Sequence, residues 1–345
     1  MSMMASKGLL AAAAALAVSA MVAGGCAGDP LPSGERLFQE VSFAVDMRPF
    51  TRSGVSSSEG AVRSLDVLVY RADDGLFDSR ARVEATGDED VSEVSAVVSL
   101  GPSLRWWVVA NAPDGILGSY ASEEAFLAGH TFLTDGTDRS LVMYGCGMLA
   151  GAQEGPVAVS LDRYTCKVTL ESVVFDWGDA YAIGDVRLGR VALVNVVGST
   201  LWSGEPEAGF VWHNRMGIDP GEPEYVRGLT VKDWGGRELE EGVPADTRYP
   251  LYCLPNPLSG GDSSADTQLW SPRGTRLSVE VLIGGVSNWY PVDLPAMACN
   301  THYIVRTLTI RGPGSDGPDK PVRREEIDYS VTVVPWEDDY VPVVF

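Results

Sequence analysis

The chain has 345 residues, of which 45% are hydrophobic, so it is long and apolar enough to form two packed domains. Its 47 acidic residues outnumber 26 basic ones and give a formal net charge of −21 at pH 7. This balance argues against nucleic acid as a partner, because phosphate binding needs clustered Lys and Arg.

The N-terminal residues are typical of a lipoprotein signal peptide. Lys7 precedes an apolar run from Leu9 to Ala23, and small residues then stand directly before Cys26. A basic start, an apolar stretch and small residues predict export, and the run is shorter than the about 20 residues that span a membrane. We predict a signal peptide over residues 1–25 and a lipid on Cys26, with an ordinary cleaved signal as the alternative.

The next part of the chain predicts two strands separated by an exposed loop. Between Leu37 and Met47, apolar residues alternate with small or polar ones, which indicates a strand with one buried face. Residues 52–60 are rich in Ser and Gly and predict a flexible break. A second strand is predicted from Leu65 to Tyr70, and Asp73-Asp74-Gly75 predicts the turn that follows it.

Many short strands and little helix are predicted for the rest of the chain. Ser122 is a candidate cap for a short helix within residues 119–133. Residues 203–247 predict surface loops with one strand at Tyr225–Val231. The other strands are predicted at Val91–Leu100, Leu104–Ala110, Leu141–Tyr144, Val157–Leu161, Cys166–Val174, Val186–Val197, Tyr249–Leu254, Arg276–Ile283, Trp289–Leu294, His302–Ile310, Ile327–Trp336 and Tyr340–Phe345. This spacing favours an all-β fold of β-sandwiches.

No motif in the sequence predicts an enzyme. The three histidines are far apart and lack a neighbouring base, nucleophile or metal set: His130, His213 and His302. The Gly-rich run over residues 312–317 lacks the Lys-Ser/Thr ending of a phosphate loop and predicts a hairpin turn. We expect no catalytic residues, no metal and no cofactor.

Four cysteines remain once Cys26 is set aside, and in an exported chain they permit three pairings. They are Cys146, Cys166, Cys253 and Cys299. Cys166 and Cys253 lie in apolar, strand-like runs, where a free cysteine often packs as a small hydrophobic residue. We favour buried thiols, and the sequence does not choose among the pairings.

Three parts of the chain carry motifs of one known family. They are Val41-Ser-Phe-Ala-Val45 with an Arg-containing loop and Leu65-Asp-Val-Leu-Val-Tyr70; Trp106-Trp-Val-Val-Ala-Asn-Ala-Pro113 with the helix near Glu123; and Asn300-Thr-His-Tyr303 with a Gly-Pro-Gly turn and the segment Val331–Trp336. In these motifs the chain resembles the fimbrillins, the type V pilins of Bacteroidetes, whose type member is the major fimbrial subunit of Porphyromonas. Residues 200–247 match nothing in that family.

The resemblance implies two tandem β-sandwich domains of transthyretin-like topology, with a short helix in the first. They would cover residues 53–163 and 164–345. It also implies attachment to the outer membrane through the lipid on Cys26. An Arg-specific, trypsin-like protease would then remove residues 26–52, including the first strand. The partners would be other fimbrial subunits, in a homopolymer or with anchor and tip proteins, in a fimbrium at the cell surface.

Arg52 is the best candidate for this cut, because small, flexible residues, Ser53 and Gly54, follow it. Arg48 precedes Pro49, before which trypsin-like enzymes cut poorly, and Arg63 lies close to the next strand. Without the resemblance, Arg52 is an ordinary solvated arginine.

The strand donated to a neighbouring subunit is expected within Ile327–Phe345. Its candidate residues are Val331, Val333, Tyr340, Val341, Val343 and Phe345. Pro335 and Pro342 lack an N–H group and suit edges or bends, so we expect one strand to pack in its own subunit while a tail reaches outward. An ordinary last strand with a frayed end is the alternative.

Other functions remain open at this point. An anchor subunit would keep its lipid and its first strand, and a tip subunit would need no outgoing strand. A surface glycan-binding lipoprotein is a further alternative, because the chain has nine Trp residues and exposed aromatic rings stack on sugars.

Overall fold

The computed structural model describes residues 37–45, 57–177, 185–205, 211–260 and 270–336, in which strands predominate. The strands of the N-terminal half are β1 (Phe38–Val45), β2 (Ser64–Arg71), β3 (Phe77–Glu84), β4 (Glu93–Ser99), β5 (Leu104–Ala110), β6 (His130–Phe132), β7 (Met143–Leu149), β8 (Val157–Val159) and β9 (Asp162–Arg163). Those of the C-terminal half are β10 (Cys166–Phe175), β11 (Val186–Val194), β12 (Val196–Val197), β13 (Ser199–Leu201), β14 (Trp212–His213), β15 (Val231–Glu238), β16 (Ala245–Asp246), β17 (Pro250–Cys253), β18 (Arg276–Ile283), β19 (Val286–Asp293), β20 (Thr301–Ile310), β21 (Ile327–Asp328) and β22 (Val331–Pro335). The helices are α1 (Glu123–Leu127) and α2 (Glu224–Thr230), with 3₁₀ turns at Ser57–Gly60, Ile116–Ser119 and Leu133–Asp135. The predicted all-β class, with a short helix in the first half, is confirmed.

The N-terminal half is a sandwich of a three-stranded and a five-stranded sheet. The strand orders are β4-β1-β8 and β3-β2-β5-β7-β9. Strand β2 is buried on both faces, because Leu65 and Val67 face the three-stranded sheet while Leu68 and Tyr70 pack into the core of the C-terminal half. This burial explains why β2 reads as an almost continuous apolar run.

The C-terminal half contains two further sheets around a second core. One has β10 and β20 as parallel central strands, with β17 beside β10 and β22 beside β20. The other has the order β15-β11-β18-β19. The short pair β6 and β13 joins the two halves, with Thr131 opposite Thr200.

The predicted cap of the first helix is confirmed, but one strand prediction is wrong. The Ser122 side chain accepts a hydrogen bond from the Ala125 backbone N–H at 3.2 Å. The predicted strand at Tyr225–Val231 is instead helix α2, which buries Val226, Leu229 and Thr230. Their spacing of three and four residues is helical and does not alternate.

Strand β15 was not predicted, because residues 231–238 are polar and rich in Gly and form an edge strand that is largely exposed. Strand β20 pairs antiparallel with β21 and β22, but the hairpin turn predicted at residues 312–317 is wrong, because residues 311–326 separate β20 from β21 and Ser315 pairs with Trp289 of β19. In this connection, a Cβ on Gly314 would lie 2.7 Å from the Trp289 carbonyl oxygen, so only glycine fits there. In the described part of the chain, no helix has the length and apolar character needed to span a membrane.

Candidate functional site

Strand β1 is the middle strand of its sheet. It pairs antiparallel with β4 from Phe38 opposite Ser99 to Ala44 opposite Glu93, and parallel with β8 from Phe43 to Val45. Among the described strands, β4 and β8 have no other partner in this sheet. Without β1, two unpaired backbone edges would face each other about 10 Å apart, twice the usual strand spacing.

The inner face of β1 is part of the core. Val41, Phe43 and Val45 are at most 9% exposed, and the Phe43 ring meets the Trp106 ring edge to face at a centroid distance of 5.6 Å. Fully burying a side chain of this kind stabilises the fold by about 1.5–3 kcal/mol. Removal of β1 would therefore expose an apolar floor between the two unpaired edges.

The outer face of β1 is open and holds few contacts. Phe38 is 59% exposed, and the Ser42 hydroxyl donates a hydrogen bond to the Glu93 carboxylate. The strand thus alternates between side chains that fill pockets and side chains that face away from the core.

On the edge of β1 that faces β8, only Phe43 to Val45 pair with a strand. The N-terminal half of this edge is held by the side chain of Gln39. The Gln39 amide nitrogen donates to the Gln153 carbonyl at 2.5 Å, and the Gln153 backbone N–H donates to the Gln39 amide oxygen at 3.0 Å. Gln39 therefore pairs with Gln153 much as a strand backbone would.

The predicted lipid site Cys26 and the predicted cleavage residues Arg52 and Ser53 lie outside the described residues. The described chain resumes at the 3₁₀ turn Ser57–Gly60. The Glu59 carboxylate there accepts hydrogen bonds from Lys167 Nζ at 2.8 and 2.9 Å and from the Tyr252 hydroxyl. These contacts fix the downstream end of the predicted cleavage loop to the C-terminal half.

Strand β22 occupies the edge of its sheet. It pairs only with β20 in the described part of the chain, from Val331 opposite Val305 to Pro335 opposite Thr301. Val333 is 49% exposed. Two predicted donor residues, Val331 and Val333, thus lie in a strand paired within their own chain. The other four, Tyr340, Val341, Val343 and Phe345, lie outside the described residues.

Trp336 fixes the chain at the end of β22. It is 4% exposed, stacks on Tyr252 at 5.8 Å, and lies beneath the guanidinium of Arg163 at 4.6 Å and Lys167 Nζ at 5.4 Å. Cation–π contacts at these distances are stabilising. Its backbone N–H donates to the Asn300 carbonyl at 2.9 Å.

We call Glu59, Arg163, Lys167, Tyr252 and Trp336 the root cluster. It joins the downstream end of the loop to the point where residues 337–345 begin. The sequence gives no signal for it, because Glu59 lies 108 residues from Lys167 and 193 from Tyr252. Burial, reinforced by the charge of Glu59, raises the pKa of Tyr252 and keeps its hydroxyl protonated.

The other candidates for ligand binding in the described chain are the tryptophan rings, His302 and possible metal ligands. All nine Trp side chains are buried or partly buried, whereas stacking on sugars needs exposed rings. Burial, together with the positive charge of Lys167, lowers the pKa of His302 to about 3. Within the described residues, no three His, Cys, Asp or Glu side chains come together as a metal site.

A cleft of about 560 Å³ lies beside β21. It is lined by the buried Arg276, whose guanidinium already has hydrogen-bond partners within the chain. Arg276 donates to Asp293, Asp319 and the Gly260 carbonyl. A cationic group with these partners has little left to offer a ligand.

No protein-family model matches the chain, and no curated protein does either. Solved structures match it over most of its length. A protein of Bacteroides eggerthii, provisionally described as a cell adhesion protein, superimposes with a TM-score of 0.59 at 17% identity, covering 90% of this chain and 98% of that one. A protein of Parabacteroides distasonis with the same description gives 0.58 at 15% identity, covering 89% and 98%. A fimbrilin of Porphyromonas gingivalis gives 0.57 at 16% identity, covering 86% and 97%. At these identities the likeness establishes the fold, and it confirms the resemblance to fimbrillins at that level.

Proposed function

We propose that this chain is a structural subunit of a surface fimbrium that assembles by exchanging strands between subunits. The observation that carries the proposal is the position of β1, on which the whole three-stranded sheet depends. A strand with this place at the start of the described chain is well suited to removal and replacement.

Export as a lipoprotein would come first. The signal peptide, residues 1–25, would be removed and Cys26 lipidated, which would hold the subunit at the outer membrane. The loop between Val45 and Ser57 contains Arg52, so a cut before Ser53 would separate β1 from the rest of the chain. Because Glu59 is held by Lys167 and Tyr252, the new end would stay attached to the C-terminal half.

Loss of β1 would leave a groove between β4 and β8 into which a new strand could bind. The freed backbone groups of β4 and β8 would need hydrogen-bond partners, and an incoming strand supplies both a backbone ladder and side chains for the pockets. In the sequence, Val341, Val343 and Phe345 have the same spacing as Val41, Phe43 and Val45. We propose that residues 337–345 of a neighbouring subunit fill the groove, while β22 stays paired with β20.

An uncleaved anchor or tip subunit is the second candidate, because β1 is held well enough to stay. Seven residues of β1 pair with β4, and Gln39 adds two hydrogen bonds to Gln153. As an anchor, a subunit that keeps its lipid and β1 would sit at the base of a fimbrium and accept no strand in this groove, whereas a tip subunit would need no outgoing strand. We also propose that the boundary between the two domains lies at residues 163 and 164.

Limited digestion of the full chain with trypsin tests the proposal. The wild-type chain should be cut after Arg52, lose the β1 peptide and form oligomers that light scattering detects. Arg52→Ala should stay uncut in the loop and monomeric, while the matched control Arg48→Ala should behave as wild type because Pro49 already protects that bond. A cut chain that stays folded and monomeric after losing β1 would contradict strand exchange.

A further inference from the structure

Cys166 and Cys253 face each other directly across two neighbouring strands. They are opposite residues in the antiparallel pair formed by β10 and β17. Opposite residues in such a pair have Cα atoms about 4.5–5.5 Å apart, and disulfides bridge Cα separations of about 4.4–6.8 Å. The backbone therefore already has the geometry that a disulfide needs.

The two side chains also lie close together. Both are fully buried, and the nearby Cys253 contributes, after burial, to raising the pKa of the Cys166 thiol. The Cys166 thiol donates to the Ala298 carbonyl at 3.1 Å, and the Cys253 sulfur lies 3.8 Å from the sulfur of Met297. All four cysteines of the described chain are unlinked in this structure.

We propose that Cys166 and Cys253 form a cross-strand disulfide while the exported chain folds. The proposal rests on the proposed function in one respect, since export would place the chain in a compartment where disulfides form and persist. It replaces the expectation from sequence alone, which favoured buried thiols, because the register of β10 and β17 cannot be read from the sequence.

The oxidant would be the disulfide of a thiol–disulfide carrier, such as an oxidoreductase of the cell envelope or oxidised glutathione. One cysteine thiolate attacks a carrier sulfur, forms a mixed disulfide and displaces the first carrier thiolate. The second cysteine thiolate then attacks the protein sulfur of that mixed disulfide and displaces the other carrier thiolate. Two electrons pass to the carrier, and the two protons of the cysteines end on its thiols.

Burial sets the time at which this reaction can occur. Burial raises the pKa of the Cys166 thiol, so the folded protein holds almost none of the thiolate that the exchange requires. The bond would therefore form as β17 docks against β10, before the two thiols are fully buried. Once formed, it would be shielded from reductants.

The other two cysteines do not compete for this geometry. Cys146 is exposed on β7, in the N-terminal half. Cys299 is partly buried, donates to the Gly204 carbonyl at 3.3 Å, and lies just outside β20, so it has no register partner among the cysteines. The structure thus selects one pairing, with Cys146 and Cys299 left as thiols.

The disulfide would stiffen the part of the fold next to Trp336, the last described residue. Strand β17 carries Tyr252, on which Trp336 stacks. A bond that closes a loop of about 90 residues restricts the unfolded chain strongly. A subunit pulled through its C-terminal segment would gain mechanical support at this point.

Refolding the full chain in a buffer of reduced and oxidised glutathione tests the pairing, with the same chain in excess dithiothreitol as the reference. Peptide mapping by mass spectrometry without reduction should find one linked pair of peptides, Cys166 with Cys253. The oxidised chain should melt about 5–10 °C above the reduced one. Cys253→Ala should abolish both the link and the shift, whereas Cys146→Ala should change neither.

Two results would overturn the proposal: a link that involves Cys146 or Cys299, or free thiols at both Cys166 and Cys253 after refolding under oxidising conditions. Because the wild-type map needs no variant, a variant that fails to fold does not block the test. Mapping of chain isolated from its native surface separates the two proposals. Free thiols there, together with the expected link in glutathione buffer, would count against export while leaving the pairing supported.

Discussion

Strands β1 and β22 lie near the two ends of the described chain, yet they are held in different ways. Strand β1 has a partner on each side and an inner face that is almost fully buried. Strand β22 has one described partner, β20, and exposes about half of Val333. Removing β22 would leave β20 paired with β10, whereas removing β1 would leave β4 and β8 without a sheet.

Under the proposed strand exchange, this difference favours β1 as the strand that is replaced. Loss of an edge strand removes only the contacts that this strand makes. Loss of a central strand also leaves the two neighbouring strands without backbone hydrogen-bond partners. The groove is therefore expected at β1. The root cluster suggests the complementary role for the other end, since Trp336 holds β22 in place within its own subunit.

The largest effect is expected from removing the ring of Phe43, which is fully buried on the inner face of β1. Phe43→Ala should lower the free energy of unfolding by about 3–5 kcal/mol, because it deletes a fully buried ring. Urea unfolding measures the change. The matched control Phe38→Ala, on the exposed face of the same strand, should stay within about 0.5 kcal/mol of wild type. Equal effects of the two variants would show that β1 is not part of the core.

Removing the anchor of β22 should have a smaller and more local effect. Trp336→Ala should cost about 3 kcal/mol, the low end for a buried aromatic ring, because the cavity opens at a sheet edge. Hydrogen exchange should speed up in β22 and stay unchanged in β1. Trp336→Phe keeps a ring on Tyr252 and should retain most of the protection. Loss of protection in β1 as well would mean that the two regions unfold as one unit.

Acid should weaken the region beneath β22 through His302. Its pKa is lowered to about 3 in the folded protein, while in the unfolded chain it is about 6.5. Between these values the unfolded chain binds one more proton, so stability is fully present above pH 6.5 and falls as the pH decreases. From pH 7 to pH 5 this group should account for a loss of about 2 kcal/mol.

The matched experiment uses His302→Gln, which does not titrate. Urea unfolding of both chains over this pH range isolates the histidine contribution from that of the carboxylates. The wild type should show the steeper decline. Parallel curves would contradict a neutral, buried His302 next to β22.

The smallest effect is expected at Glu59 of the root cluster. Glu59→Gln should cost about 1 kcal/mol, because the variant loses the charge that pairs with Lys167. An amide oxygen can still accept from the Tyr252 hydroxyl, so Tyr252→Phe, which removes that bond alone, serves as the comparison. Thermal unfolding measures both. No change in either variant would mean that Glu59 does not hold the loop end.

The sequence was most informative where one face of an element is buried. The alternation around Phe43 located β1, and Ser122 located the start of α1. It failed at α2, because a short apolar segment such as the one containing Val226 and Leu229 is ambiguous between the helical and the strand period. It also missed β15, whose exposed polar residues carry no pattern at all.

The sequence predicts the local elements of the site but not their tertiary arrangement. A strand that precedes an Arg-containing loop can be read directly, but the central position of β1 depends on β4 and β8, which follow much later in the chain. The root cluster and the opposed cysteines depend on register between distant strands. Such pairings are fixed by the tertiary fold rather than by local preference.

The most direct test of the central claim is the intact mass of the subunit purified from its native surface, measured together with its state of assembly. Replacement of β1 predicts an assembled chain that begins at Ser53 and lacks residues 38–45. An assembled chain that begins at a lipid-bearing Cys26 and still contains β1 would contradict the claim.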